Sequence, residues 1–293
     1  SLGANTTASN NTAIGYASLL ANTTGNNNTA NGFESMYANT TGVENTAMGH
    51  KALRANTTGV ENTALGDFTL TSNTSAHYNT GLGRTALFTN TTGTQNTASG
   101  HQAMRQNTTG SSNSAYGKSA LYSNTTASNN TAVGYRSLFA NTTGSYNVAV
   151  GMGSLETNTT AYYNTAVGYD SLKLSTIGER NAALGYAALK NNTTGSYNVA
   201  VGMSAMELNT TGANNTTIGA DPLVFNTTGS DNTAVGKSAL FSNTTASNNS
   251  AVGYGALGSN TTGASNTAMG HNSLANSTTA SNNAAFGVNT LNV

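Results

Sequence analysis

An asparagine recurs every seventeen residues along this chain, with no insertion or deletion between repeats. It stands at Asn11, Asn28, Asn45 and Asn62, and continues through Asn130 and Asn147 to Asn283. Four places after each comes a glycine, such as Gly15, Gly32 and Gly134, and four places after that a Leu or Met, such as Leu19, Met36 and Leu138. A strict short period means that each repeat contacts only its neighbours, so the chain builds a stacked, quasi-one-dimensional object. That overrides the one or two ordinary domains that 293 residues would otherwise suggest. Residues 1–293 read as a single repeat array, opening at Ser1 and stopping at Val293 in mid-repeat without an atypical cap, as a segment of a longer fibre would.

With the recurrent Asn as position 0, one unit reads Asn130-Thr131-Ala132-Val133-Gly134-Tyr135-Arg136-Ser137-Leu138 and closes on the corner Asn141-Thr142-Thr143-Gly144. Thr at position 12 never changes, from Thr23 through Thr142 to Thr278. The stretch Thr-Ala-Val-Gly, bounded by Asn and Gly, is a strand signal with turn punctuation. Seventeen residues are too few for a helix pair, and a fixed mid-repeat Gly opposes helix. The expected fold is therefore all-β: a parallel β-solenoid or β-roll of about seventeen coils, roughly 80 Å long at one strand spacing per coil.

The charges test this independently. Only 7% of residues are charged, and all twenty of them fall at positions 5, 6, 9, 15 or 16. An unpaired charge is costly to bury, so those five positions are expected to face solvent. Stacking explains the asparagines, because amides one strand spacing apart can hydrogen-bond as a ladder. Gly at position 4 serves either a positive φ or the close approach of another backbone, and the sequence leaves both open. If Ala at position 2 faces inward, the roll is thin, Leu or Met at position 8 is its main filler, and the apolar side chains at position 3 form an outward row. Such a row, interrupted at Asn31, Ser99 and Tyr116, predicts self-association about the long axis.

The units Asn-Thr-Ala-Val-Gly-Tyr-x-Ser-Leu and Asn-Thr-Thr-Gly-Ser-Tyr-Asn resemble head repeats of trimeric autotransporter adhesins and, more closely, shaft repeats of bacteriophage tail fibres. The resemblance covers essentially the whole chain. It implies a parallel β-roll wound inside a homotrimer, at a cell surface or on a virion. This chain departs from the adhesin repeat in its longer period and its second Asn-Thr-Thr corner.

Little else points to chemistry. Lys plus Arg equal Asp plus Glu, ten against ten, so no basic footprint for nucleic acid is present. There is no cysteine, no apolar run near the roughly 20 residues of a membrane span and no signal-peptide pattern. The corners at Asn22, Asn39, Asn56 and Asn141 formally match N-glycosylation acceptors, yet the same residues suit a structural ladder, and Ser175 and Ser277 replace the corner Asn. His50, His77, His101 and His271 are too scattered to share a metal, and no cofactor site is read. No Ser, His and Asp grouping recurs, and the register is kept even through Ser175–Arg180, so no enzyme is expected. Tyrosines at positions 5 and 16 either pack along the coil or stack on sugars. Regular Thr arrays resemble ice-binding solenoids. The reading is a structural extracellular fibre that spans distance and presents a binding surface; the alternative is a glycan- or ice-binding module. Its partners are copies of itself and cell-surface glycans.

Overall fold

The computed structural model describes residues 2–291, so Ser1 and Val293 lie outside the described residues. Among the described residues it contains seventeen strands of three residues each and no helix, from β1 (Thr12–Ile14) through β8 (Thr131–Val133) and β9 (Val148–Val150) to β17 (Ala284–Phe286). The chain groups into two units, Ser1–Tyr146 and Asn147–Val293.

In the first unit, β1 to β8 pair in sequence order, all parallel, with identical repeat positions opposite one another: Thr12 with Thr29, Ala13 with Ala30, Ala115 with Ala132. In the second, β9 to β17 do the same, from Thr165 beside Val148 to Met269 beside Phe286. Each unit is a parallel β-solenoid, one coil per repeat. The hydrogen bonding is not confined to the strands. Thr23 N donates to Thr40 O at the corner, and Met36 N to Ala52 O in the turn region, so successive coils are laddered around much of their circumference.

The interior is narrow. Positions 0, 2, 7, 8, 11 and 14 are buried, and the largest fully buried side chains are the position-8 residues, among them Leu19, Met36, Leu53 and Leu138. Ala at position 2 faces inward, and position 3 faces out, with Ile14 57%, Leu184 49% and Phe286 63% exposed. A core of one Leu and a few Ala per coil buries little apolar surface alone, so each coil depends on its neighbours.

Both readings of Gly at position 4 are correct at once. Gly117 has φ +128°, and a Cβ there would stand 2.6 Å from Gly134 O of the next coil. A positive φ is also imposed on side chains that do not favour it. Position 8 is left-handed throughout (Leu19 φ 48°, Leu138 φ 49°), as are position 6 (Lys51, Phe68) and position 16 (Tyr78, Glu44). A left-handed residue costs on the order of 1–2 kcal/mol, which the coil-to-coil ladder must outweigh. The sequence carries a trace of this. Position 3 admits Val and Ile, but positions 8 and 16 never do, because β-branched residues are the least tolerant of positive φ.

Candidate functional site

The asparagines are the most organised polar feature of the molecule. At position 0, Asn28 donates its Nδ2 to Gly42 O at 2.8 Å, while its Oδ1 accepts from the backbone N and the Nδ2 of Asn45 at 3.0 and 3.2 Å. Asn11, Asn45, Asn62, Asn130 and Asn147 make the same bond to the position-14 carbonyl, on Gly25, Gly59, Ala76, Gly144 and Ala161. Thr23 and its equivalents add a third row, each hydroxyl donating to the position-12 carbonyl of the next coil: Thr23 to Thr40 at 3.1 Å, Thr125 to Thr142 at 3.1 Å.

The corner asparagines form a second ladder. Asn39 Nδ2 donates to Asn22 Oδ1 at 2.8 Å, Asn56 to Asn39 at 2.8 Å, and Asn141 to Asn124 at 3.0 Å. Each also donates to the position-14 carbonyl three residues on, as Asn39 does to Gly42 O at 3.0 Å. Asn28 and Asn39 of one coil thus converge on the same carbonyl and tie position 0 to position 11 across the interior. A buried carbonyl must find a donor; here it has two. This clamp within the coil is absent from the ladder picture drawn from spacing alone, since no linear pattern tells which carbonyl an amide meets.

Asn22, Asn39, Asn56 and Asn141 are fully buried, with the amide nitrogen that would carry a sugar already hydrogen-bonded. In the folded coil that nitrogen is out of reach of any modifying enzyme. Where serine replaces the corner Asn, the ladder has a gap. Ser175 Oγ and Ser277 Oγ are buried without a partner, and so is Asn260 Oδ1, which faces the shortened position.

Nearly all charged side chains lie at least partly open to solvent, and Asp170 is the exception, 4% exposed. Its carboxylate stands 3.0 Å from Lys173 Nζ and 3.8 Å from Lys190 Nζ, and Lys173 also reaches Glu156 at 3.6 Å. The cause is Gly153 in the preceding coil, where a Cβ would come 2.5 Å from Asp170 Oδ1. The empty space lets the carboxylate fold inward under two lysines. Its hydrogen bond to Asp170, followed by the attraction of Asp170, Glu156 and Tyr169, raises the Lys173 pKa above the ordinary lysine value, with partial burial acting the other way.

The aromatic rows pack along the coil. Tyr169 and Tyr186 stack at 5.4 Å and 6°, and Tyr16 on Phe33 at 5.2 Å. Arg180 lies between Tyr163 and Tyr197, 5.7 and 5.3 Å from their ring centres. His50 sits between Phe33 and Phe68, His271 stacks on Tyr254, and His77 Nδ1 accepts from Val60 N at 3.0 Å. Among the described residues no three His, Cys, Asp or Glu side chains gather as metal ligands.

Parallel three-residue strands, in-register asparagine ladders and a narrow Ala/Leu interior define a β-solenoid. No protein-family model and no curated protein matches the chain.

Proposed function

We propose that the chain is a stretch of an extracellular structural fibre, of the adhesin or tail-fibre shaft type, assembled from three copies of itself at a cell surface or on a virion. One observation carries the reading: the outward row at position 3 exposes Ile14, Met48 and Val133 in the first unit and Leu184, Ile218 and Met269 in the second, each at the same place in its coil. Exposed apolar surface of that extent marks an interaction site. A partner that covers such a row must repeat at the same strand spacing, and another copy of this chain does. The number three rests on the resemblance to adhesin heads.

Such a fibre works mechanically, and the reading assigns it no catalysis. Its strength lies in the ladders, which within each unit tie successive coils through backbone, Asn and Thr hydrogen bonds together. Scanning transmission electron microscopy of the purified chain, read as mass per unit length, tests the assembly. Three chains side by side, with one coil per roughly 4.8 Å of axis, are expected. A single chain per cross-section at micromolar concentration refutes the self-assembled fibre.

A further inference from the structure

Toward the end of the array the repeat changes at position 9 in the size of its side chains and not in its register. Position 9 holds Thr, Val or a larger residue in every coil from Leu20 to Phe241, and the next two coils hold Gly258 and Ala275. Gly255, at position 6, removes a further side chain from the same coil as Gly258. Gly258 and Ala275 line a depression of about 410 Å³ in the second unit beside Phe241, and Asn272 turns its Oδ1 into the space that Gly255 leaves.

The rest of its lining is polar and uncharged. Ser238 and Ser242 come from the coil of Phe241, Ser259 from the next, and Asn272 and Asn276 from the third. None of these five side chains makes a hydrogen bond within the protein among the described residues. That sets them apart from the buried asparagines, whose amides are spent in the ladders. An aromatic wall with uncommitted hydroxyls and amides around it offers an apolar face, donors and acceptors, and no charge.

We propose that this depression binds one neutral pyranose unit of a glycan. The C–H face of the sugar lies against Phe241, and its hydroxyls are held by the amides of Asn272 and Asn276 and by the serine hydroxyls. The proposal does not depend on the fibre assembly, because every lining residue belongs to three consecutive coils of one chain.

Saturation-transfer difference NMR on the full chain tests it, with methyl β-glucoside, methyl β-galactoside, N-acetylglucosamine and glucuronate as probes at millimolar concentration. At least one neutral sugar is expected to show transfer to its ring protons. Phe241→Val should weaken binding by roughly three- to tenfold, Ala275→Leu should abolish it, and Phe88→Val should leave it unchanged. Position 9 already holds Val224 and Leu20, so both substituents suit the coil, and an unchanged thermal transition verifies this. The proposal is overturned if no neutral sugar shows transfer, if glucuronate alone does, or if Phe241→Val and Ala275→Leu both bind as the parent chain.

Discussion

Replacing Asn56 by Ala removes one rung of the corner ladder and makes the ladder's contribution measurable. Three hydrogen bonds disappear: Nδ2 to Asn39 Oδ1 at 2.8 Å, Nδ2 to Gly59 O at 3.0 Å, and Asn73 Nδ2 to Asn56 Oδ1 at 2.9 Å. Their partners fare differently. Gly59 O keeps the amide of Asn45, and Asn73 Nδ2 keeps Ala76 O, so each of those losses costs about 0.5–1.5 kcal/mol. Asn39 Oδ1 keeps no donor in a buried site, which costs about 1–3 kcal/mol. The expected total is about 2–6 kcal/mol, felt in the coils that touch residue 56. An array of nearest-neighbour contacts opens locally, so a global melting point understates the effect. Native-state hydrogen exchange at the Thr40 and Thr57 amides, which donate to Thr57 O and Thr74 O, reads it directly. Protection there should fall on the order of a hundredfold. Gln106→Ala, at a half-buried side chain outside the ladder, should change stability by less than about 0.5 kcal/mol. A fall of less than about threefold for Asn56→Ala, or an equal fall for Gln106→Ala, refutes the view that the amide ladder holds the coils together.

Three further outcomes follow from the same geometry. Ser175→Asn closes the gap left by the unpartnered Ser175 Oγ and gives Asn192 Nδ2 a second acceptor, so it should stabilise its coils by about 1–2 kcal/mol in hydrogen exchange; equal or lower stability contradicts this. Gly117→Ala forces a Cβ to 2.6 Å from Gly134 O at φ +128° and should lose at least about 2 kcal/mol in denaturant titration, so near-parental stability would be the contrary result. The Lys173 pKa is raised in the fold; its stabilisation is therefore complete below the unfolded lysine value of about 10.4 and is lost as pH rises through the higher folded value. Alkaline unfolding should then begin at lower pH in Lys173→Met than in the parent chain, and identical alkaline profiles would remove the ion pair from the account.

Much of the candidate site was legible in the sequence because the period is unbroken. Equal spacing requires Asn22 to stand over Asn39 and Asn39 over Asn56, and it was enough to expect amide ladders and charges turned outward. The clamp on the position-14 carbonyl was not legible, since position 0 and position 11 meet it only once the coil closes in three dimensions. The depression beside Phe241 was equally hidden. Gly258 and Ala275 are unremarkable in their own repeats and become a cavity only when three coils are stacked.

The sequence by itself determined coil length, register and the division between inner and outer positions, because each follows from a side chain recurring at one fixed interval. Only the tertiary structure decided the dihedral angles of positions 6, 8 and 16, the inward turn of Asp170 beneath its lysines, and the stacking of Tyr169 on Tyr186. Those choices go against local preference or ignore it. Lys51 and Phe68 have no intrinsic reason to be left-handed, and Asp170 none to be buried. They are imposed by the neighbouring coil, through its carbonyls, its missing Cβ atoms and its rings, and a neighbour seventeen residues away acts only when the chain is wound.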